Sequence, residues 1–166
     1  MKNDTRLVIR LATESDMPML VAEYGDPEFH KSQLAKQAKD ECLYLVAMLG
    51  DDFVGHAFLR RESYYAPVRK RLSDYAELDA LDIHKSEMRS KGYGSQIVAE
   101  CERLARDWGV SKIGLAVSVK NTRAESLYYK LGYRDWGYGT FPKEWVDEGG
   151  VRHQGADLRY LVKSLR

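Results

Sequence analysis

An α/β fold is predicted for this chain, as a single domain over residues 1–166. Its length of 166 residues is that of one ordinary domain, and it is enough to bury a complete core. Runs of alternating apolar residues, typical of strands, are interspersed with runs whose apolar residues recur every three to four positions, typical of helices. We find neither an internal repeat nor a low-complexity linker that would divide the chain.

The first half of the chain predicts a strand, two helices and a hairpin. The run "RLVIRLA" alternates as a strand does, and "TESDMPMLVAEY" is helical. Asp26 before Pro27 predicts the start of a second helix, "DPEFHKSQLAKQAKD", because aspartate caps helices and proline suits their first turn. The runs "CLYLVAMLG" and "DDFVGHAFLRRE" predict a hairpin that turns at residues 50–52. We expect "ESYYAPVRKRLSD" to be an irregular loop, because Pro67 interrupts it.

The next predicted strand, "YAELDALDIH", contains a break in its alternation. Leu78 and Ala80 share one face, whereas Leu81 and Ile83 fall on the other. A β-bulge at Ala80–Leu81 would bring all the apolar residues to one face. A strand buried on both faces would make the alternation unimportant, and this alternative stays open.

The second half predicts two helices and two more strands. "SKIGLAVSV" alternates as a strand, and "NTRAESLYYKLG" is a helix capped by Asn121 and closed at Gly132. "ADLRYLVKSL" is the last strand, after a long connection rich in glycine and aromatic residues, "GYGTFPKEWVDEGGVRHQ". The helix before "SKIGLAVSV" ends at Gly109, and its apolar residues at helical spacing are Ile97, Val98, Cys101, Leu104, Ala105 and Trp108.

Composition excludes several classes of protein. The 26 basic and 25 acidic residues leave a net charge of +1, which argues against a nucleic-acid partner, and the short basic run "VRKRL" reads as a solvated loop. Cys42 and Cys101 lie in apolar runs and are expected to be buried free thiols. No run approaches the roughly 18 apolar residues of a membrane span, and the first residues lack the apolar centre of a secretory signal. We expect a cytoplasmic protein with no membrane partner, and the sequence leaves homodimer formation open.

The run "RSKGYGSQ", residues 89–96, precedes the amphipathic helix. A glycine loop that leads into a helix leaves backbone N–H groups unpaired at the positive end of the helix dipole, which suits a phosphate. We expect Gly92 and Gly94 to adopt positive φ and to allow close approach, with Arg89 and Lys91 adding positive charge. A plain turn with an exposed polar cap is the alternative. Neither the G-x-x-x-x-G-K-[ST] phosphate loop nor the dinucleotide motif G-x-G-x-x-G is present.

Two motifs, in order, resemble those of the GNAT acyltransferase family. The first is R-x-x-G-x-G, formed by Arg89, Gly92 and Gly94, and the second is "NTRAESLYYKLGY", residues 121–133. The resemblance implies the GNAT fold, a mixed and mostly antiparallel sheet of six or seven strands with helices on both faces. It also implies transfer of an acetyl group from acetyl-CoA directly to a primary amine of a small molecule or peptide. The alternative is a domain that binds acyl-CoA without turnover, as a sensor or interaction module.

The resemblance also implies which residues bind the cosubstrate. The glycine loop would hold the pyrophosphate, the strand around Leu81 and Ile83 would pair with the pantetheine amides, and Asn121 would either reach the pantetheine arm or only cap its helix. The pyrophosphate-binding residues are then Arg89, Ser90, Lys91, Gly92, Tyr93, Gly94 and Ser95.

Two catalytic roles follow from the resemblance. Tyr128 matches the tyrosine that protonates the leaving thiolate, although its spacing also fits a core aromatic residue. Glu77 resembles the glutamate that serves as base in some members, Asp79 is its rival on the same face, and Asp82 is less favoured. Solvated strand carboxylates are the alternative for all three.

The remaining expectations concern metals and the acceptor. The histidines and cysteines show no metal-ligand spacing, so we expect no metal. The resemblance places the acceptor near Tyr24–Asp26 and the variable segments 62–74 and 137–155. These segments and their edges carry aromatic and acidic residues that would suit a cationic amine: Tyr64, Tyr65, Trp136, Tyr138, Trp145, Glu144, Asp147 and Glu148.

Overall fold

The computed structural model describes residues 6–84, 86–89, 91–147 and 149–166. This part of the chain forms a single sheet of eight strands, with β4 and β5 parallel and all other neighbours antiparallel. The strands are β1 (Leu7–Leu11), β2 (Cys42–Leu49), β3 (Asp52–Arg60), β4 (Tyr75–Ile83), β5 (Lys112–Ser118), β6 (Arg134–Asp135), β7 (Phe141–Val146) and β8 (Arg152–Ser164). Their order is β1-β2-β3-β4-β5-β8-β6, and β7 pairs with β8. The predicted α/β class is confirmed, with one strand more than expected.

Helices cover both faces of the sheet. They are α1 (Met17–Tyr24), α2 (Pro27–Ala38), α3 (Ala66–Arg71), α4 (Tyr93–Asp107) and α5 (Thr122–Lys130), with short 3-10 turns at Glu14–Asp16 and Ser86–Met88. The strands place alternate residues on each face, so that Leu45 of β2 packs in the cluster of α4 and α5, and Tyr44 packs in the cluster of α1. Both predicted caps are confirmed: Asp26 accepts a hydrogen bond from the Phe29 N–H and Asn121 from the Ala124 N–H, each at 3.2 Å.

Two segments predicted to be irregular are ordered, so the prediction was wrong there. Residues 66–71 form α3, because Pro67 lies in its first turn, where proline's missing N–H costs no hydrogen bond. Within the long connection, β7 forms a hairpin with the first half of β8. Pro142 is tolerated in β7 because this strand pairs on one side only.

The β-bulge predicted in β4 is confirmed. His56 of β3 lies opposite Asp82, but Phe58 lies opposite Asp79, so β4 contains one extra residue between them. Ala80 adopts a φ of +52°, which is unusual for a residue with a side chain. The first half of β4, residues 75–78, is also buried on both faces, as the alternative proposed. The bulge turns Leu81 toward the cluster of α4 and α5.

The pairing of β4 with β5 is short. The two strands pair at Tyr75–Lys112, Ala76–Ile113 and Glu77–Gly114, and no pair follows in the described chain. Past Glu77 the strands diverge, because β4 bulges while β5 continues its pairing with β8. A gap therefore opens in the middle of the sheet.

Gly114 lies against a buried tyrosine at the start of this gap. A Cβ atom at Gly114 would come within 2.4 Å of the Tyr160 ring and 2.6 Å of its hydroxyl oxygen. We expect Gly114→Ala to displace Tyr160 and to lower the free energy of unfolding by about 1–3 kcal/mol, as overpacking of a core does. Urea denaturation measures this. Gly94→Ala is the matched control, because a Cβ there has open space, and an equal loss in both variants would contradict the prediction.

Two further expectations can be compared with the structure. Cys42 and Cys101 are buried and free, as expected. Among the described residues, no helix has both the length and the apolar character needed to cross a membrane.

Candidate active site

A cleft of about 810 Å³ lies over the gap, bounded by the end of β4, the start of α4 and one face of α5. It brings together Tyr128 and most of the residues predicted to bind the cosubstrate: Leu81, Ile83, Arg89, Gly92, Gly94, Ser95 and Asn121. Lys91 and Tyr93 are not among its lining residues, and Tyr93 instead packs partly against the core. Ser90 lies outside the described residues.

The start of α4 lies at this cleft, and the backbone N–H groups of its first turn have no partner among the described residues. Gly92 is the residue before the helix, with a φ of +81°, and no side chain caps the helix within the described chain. The first N–H groups of a helix have no partner inside it, so those of Tyr93, Gly94 and Ser95 can bind an anion. Gly94 does not adopt the predicted positive φ, because it already belongs to the first turn of α4. Gly94 instead leaves open space at the start of the helix, since a Cβ there would meet nothing within 4 Å.

Basic side chains surround the same cleft. The Arg89 Nε donates to the Ile83 carbonyl at 3.3 Å, which holds the side chain over the end of β4. Arg123 and Lys130 of α5 also line the cleft, and the sequence analysis missed both. The two residues are seven positions apart, which puts them on one face of a helix. This spacing of basic residues could have identified them from the sequence.

The space at Gly94 predicts the effect of a charge placed there. Gly94→Glu should reduce acetyl-CoA affinity by about 10–100-fold, because a carboxylate at the anion site opposes charge-assisted hydrogen bonds of about 1.5–3 kcal/mol. Folding should be unaffected, since an acidic residue in the first turn complements the helix dipole. Calorimetric titration with acetyl-CoA and a thermal melt measure the two effects. Gly94→Gln is the neutral control of similar size, and equal affinity in the Glu and Gln variants would argue against an anion site.

Tyr128 projects from α5 into the buried part of the cleft. It is 9 % exposed, and its ring packs edge-on against Tyr133 with centroids 5.9 Å apart. Burial raises the pKa of its phenol to about 12, so the hydroxyl keeps its proton at neutral pH. The hydroxyl makes no hydrogen bond to any residue of the described chain, although the residue lines a cleft. A core aromatic residue would show the same packing, but here the hydroxyl can donate to a ligand.

Glu77 lies at the last pair between β4 and β5, on the face opposite α4, and it does not line the cleft. Its side chain is fully buried and accepts three hydrogen bonds, from the Ser63 hydroxyl at 2.5 Å, the Tyr64 N–H at 2.9 Å and the Tyr160 hydroxyl at 2.9 Å. Burial, only partly offset by these donors, raises the pKa of the carboxyl to about 7. A carboxyl of this pKa can accept a proton near neutral pH.

The other two carboxylates of β4 have different partners. Asp79 is partly exposed and forms an ion pair with Arg60, at 3.0 Å between Oδ2 and Nε. Asp82, beyond the bulge, accepts a hydrogen bond from the Tyr24 hydroxyl at 3.2 Å. The Tyr24 hydroxyl oxygen also lies 2.9 Å from the His56 Nδ1. Tyr24 is therefore at the sheet beside the cleft, as expected for the segment Tyr24–Asp26.

A second cavity of about 690 Å³ lies on the opposite face of the sheet. Tyr65 and Phe141 on its wall pack with Tyr75 and Tyr160, whereas the first cleft adjoins the cluster that contains Ala76. Its remaining lining residues come from segment 64–69 and from the β7–β8 hairpin: Tyr64, Ala66, Pro67, Arg69, Pro142, Glu144, Trp145, Val146, Arg152, His153 and Gln154. These residues belong to segments 62–74 and 137–155, whose role in binding the acceptor stays a prediction.

Three of the residues expected near the acceptor lie elsewhere. Trp136 donates to the Gly139 carbonyl and packs on Tyr160, while Tyr138 stacks under Arg71, so neither lines the second cavity. Asp147 accepts hydrogen bonds from the N–H groups of the hairpin turn and pairs with His153. Glu148 is outside the described residues.

Two wall residues of the second cavity are held in place by Glu77. The Tyr64 N–H donates directly to Glu77, and the Tyr65 N–H donates to the Ser63 hydroxyl, which itself donates to Glu77. The Arg69 guanidinium donates to the carbonyls of Ser63 and Tyr64, both at 2.9 Å. Segment 63–65 therefore has a fixed conformation over the gap.

Within the described ranges, no three His, Cys, Asp or Glu side chains are grouped so that they could hold a metal ion.

Comparison with known sequences places this chain in a family of acetyltransferases. The model of the family described as "Acetyltransferase (GNAT) family" matches residues 9–133, about three quarters of the chain. A curated relative, GCN5-related N-acetyltransferase 4, chloroplastic, from Arabidopsis thaliana, is 29 % identical over 91 residues. The match covers 55 % of this chain and 30 % of that protein, so it spans less than a third of the length of that relative.

Solved structures show the same fold at low identity. A spermidine/spermine N-acetyltransferase from Vibrio cholerae superposes with a TM-score of 0.70 at 17 % identity, covering 99 % of this chain and 95 % of that one. A protein from Salmonella typhimurium described as a putative acetyltransferase with its cofactor acetyl-CoA superposes with a TM-score of 0.72 at 16 % identity, covering 97 % and 95 %.

Proposed function

Because the chain belongs to the acetyltransferase (GNAT) family, we propose that it transfers an acetyl group from acetyl-CoA directly to a primary amine of a small molecule or peptide. The observation that carries this proposal is the gap past Glu77 and Gly114, with an anion-binding helix start and Tyr128 on one face and an aromatic cavity on the other. A direct transfer needs both substrates to meet at one point. We propose that they meet at the gap, because Tyr65 on the wall of the second cavity is linked through the Ser63 hydroxyl to Glu77 at the start of the gap.

Acetyl-CoA would lie in the cleft with its pyrophosphate at the start of α4. The free N–H groups of the first turn and the Arg89 guanidinium bind the phosphates, and Ser90, Lys91 and Tyr93 stay predictions for the same loop. Beyond the bulge, the edge of β4 at Leu81 and Ile83 is free of β5 and would pair with the pantetheine amides. The Leu81 N–H would then bind the thioester oxygen and stabilise the oxyanion.

Tyr128 is the proposed general acid. When the tetrahedral intermediate collapses, the C–S bond breaks, its electron pair goes to sulfur, and the Tyr128 hydroxyl donates its proton to the thiolate. The surroundings that raise the pKa of Tyr128 to about 12 also raise that of a thiol formed beside it, because burial disfavours both anions. The difference between the two pKa values, which sets the free energy of the proton transfer, is therefore expected to stay close to its value in solution.

Glu77 is the proposed base. A lysine-like amine has a pKa of about 10.4, so only about one molecule in a few thousand is neutral at pH 7, and a base with a pKa of about 7 suits its deprotonation. Segment 63–65 covers Glu77, so the proton would pass through the Ser63 hydroxyl, which already donates to the carboxylate. Asp79, partly exposed on the same face, is the rival that the experiment must exclude.

The proposal is tested by release of free thiol from acetyl-CoA in the presence of an amine panel covering polyamines, amino acids, aminoglycosides and peptide N-termini. We expect thiol release that depends on the amine, together with an acetylated product detected by mass spectrometry. Tight acetyl-CoA binding by calorimetry without thiol release from any amine would instead favour the acyl-CoA sensor. Failure to bind acetyl-CoA would contradict both.

A further inference from the structure

We propose that the second cavity binds an amine with a single positive charge, an aromatic body and a carboxylate, as in an aromatic amino acid, and that it disfavours polyamines. This inference rests on the proposed acetyl transfer, because it names the acceptor of that reaction.

The walls of the cavity supply the aromatic preference. Tyr64, Tyr65, Phe141 and Trp145 line it together with proline and valine side chains, and Tyr64 and Trp145 are largely exposed. A volume of about 690 Å³ is within the usual range of small-molecule sites. Exposed aromatic rings bury apolar ligand area and hold a cation over their faces. Because segment 63–65 is fixed by Glu77, the Tyr64–Tyr65 wall is formed before the ligand arrives.

The charges of the cavity argue against a polycation. Of its described lining residues, only Glu144 carries a carboxylate, whereas Arg69 and Arg152 carry guanidinium groups. Glu144 already accepts a hydrogen bond from the Gln154 amide at 3.3 Å. A polyamine brings several ammonium groups, and a lining whose described residues carry more guanidinium than carboxylate groups disfavours them. One ammonium can be accommodated by the rings.

Arg152 supplies the carboxylate preference. It lies at the start of β8, opposite Val146 of β7, and it forms no ion pair with a carboxylate of the described residues. The other cavity arginine, Arg69, is occupied by two backbone carbonyls. A guanidinium that has no ion-pair partner among the described residues can bind a ligand carboxylate through two parallel hydrogen bonds. Arg152 is therefore the residue that would distinguish an amino acid from the corresponding simple amine.

The position of the cavity puts the amine near the gap. Tyr65 on the cavity wall lies close to the proposed base, because its N–H donates to the Ser63 hydroxyl at 3.0 Å and that hydroxyl donates to Glu77 at 2.5 Å. An aromatic ring held between Tyr64 and Trp145 would direct its amine past Tyr65 toward the proposed base.

The test compares three acceptors: L-phenylalanine, phenethylamine, which lacks only the carboxylate, and spermidine, which has no aromatic ring and carries several amines. We expect kcat/KM for thiol release to fall in that order, with spermidine at least about tenfold below phenethylamine. Arg152→Gln should lower kcat/KM for phenylalanine by about 10–100-fold, as expected for a charge-assisted pair, and leave phenethylamine unchanged. Tyr64→Ala should weaken both aromatic acceptors. Tyr138→Ala is the matched control, because this exposed aromatic ring lies outside the cavity.

Binding measured without turnover separates this proposal from the proposed function. Calorimetric titration of the acetyl-CoA-free protein with phenylalanine and spermidine reports on the cavity alone, so phenylalanine binding that Arg152→Gln abolishes would support the cavity assignment even if no thiol were released. Preferred binding or acetylation of spermidine, or equal use of phenylalanine by wild type and Arg152→Gln, would overturn it.

Discussion

Tyr128→Phe is expected to lower kcat for thiol release by about 10²–10⁴-fold, the usual contribution of a general acid. The substitution keeps the ring that packs on Tyr133 and removes only the proton that the leaving thiolate needs. The affinity for acetyl-CoA should change little, because a single hydroxyl contributes only about 1 kcal/mol of net hydrogen bonding. Steady-state kinetics and calorimetric titration with acetyl-CoA measure the two quantities on one protein preparation.

Tyr129→Phe is the internal control for this variant. Tyr129 is adjacent in α5, but its hydroxyl donates to Glu125 on the same helix and it does not line the cleft. We expect the Tyr129→Phe variant to keep nearly the full kcat for thiol release. Full activity in both variants would make Tyr128 a core aromatic residue, and loss of activity only in the Tyr129 variant would mean that the motif has been aligned one residue out.

Glu77→Gln is expected to lower kcat/KM by a similar factor of about 10²–10⁴ above pH 7, and to change the pH profile. A base acts when it is deprotonated, so the wild-type kcat/KM should rise as the pH rises through about 7, the pKa of Glu77, and again as the amine itself loses its proton. In the Glu77→Gln variant, the rise of kcat/KM near pH 7 should disappear, and the rise that follows deprotonation of the amine should remain. The pH dependence of kcat/KM with one amine measures this.

Asp79→Asn separates the two carboxylates. It removes the ion pair with Arg60 and should retain the rise near pH 7. If the Asp79 variant loses that rise and the Glu77 variant keeps it, Asp79 is the base. A Glu77 variant with an increased KM for the amine and an unchanged kcat would show that Glu77 only holds the Tyr64–Tyr65 wall.

The features that the sequence predicted well depend on a few neighbouring residues. Asp26 and Asn121 cap helices through hydrogen bonds to N–H groups three residues away, so their roles are visible in a short window. The bulge at Ala80–Leu81 was visible because a slip of one residue inverts the alternation of a strand. The start of α4 was identified in the same way, from Gly92 and the amphipathic run after it.

The surroundings of Glu77 could not be predicted in this way. Its partners include Tyr160, 83 residues later in the chain, and only the sheet order brings β4 and β8 to the same buried cluster. The sequence therefore predicted a carboxylate on an exposed or substrate-facing strand, whereas the structure buries it under Ser63 and Tyr64. The hairpin of β7 with β8 was missed for a different reason, because it lies in a run rich in glycine and aromatic residues that was interpreted as a long connection.

The separation of the two cavities by the sheet has a kinetic consequence. With acetyl-CoA in the cleft on the α4 face and the amine in the cavity on the opposite face, as we propose, we expect neither substrate to block the other, so that the two bind in either order before transfer. We likewise expect the products to leave in opposite directions. Initial-rate lines at several fixed amine concentrations should accordingly intersect, as they do for a ternary complex, and each product should inhibit most strongly against the substrate that shares its side of the sheet.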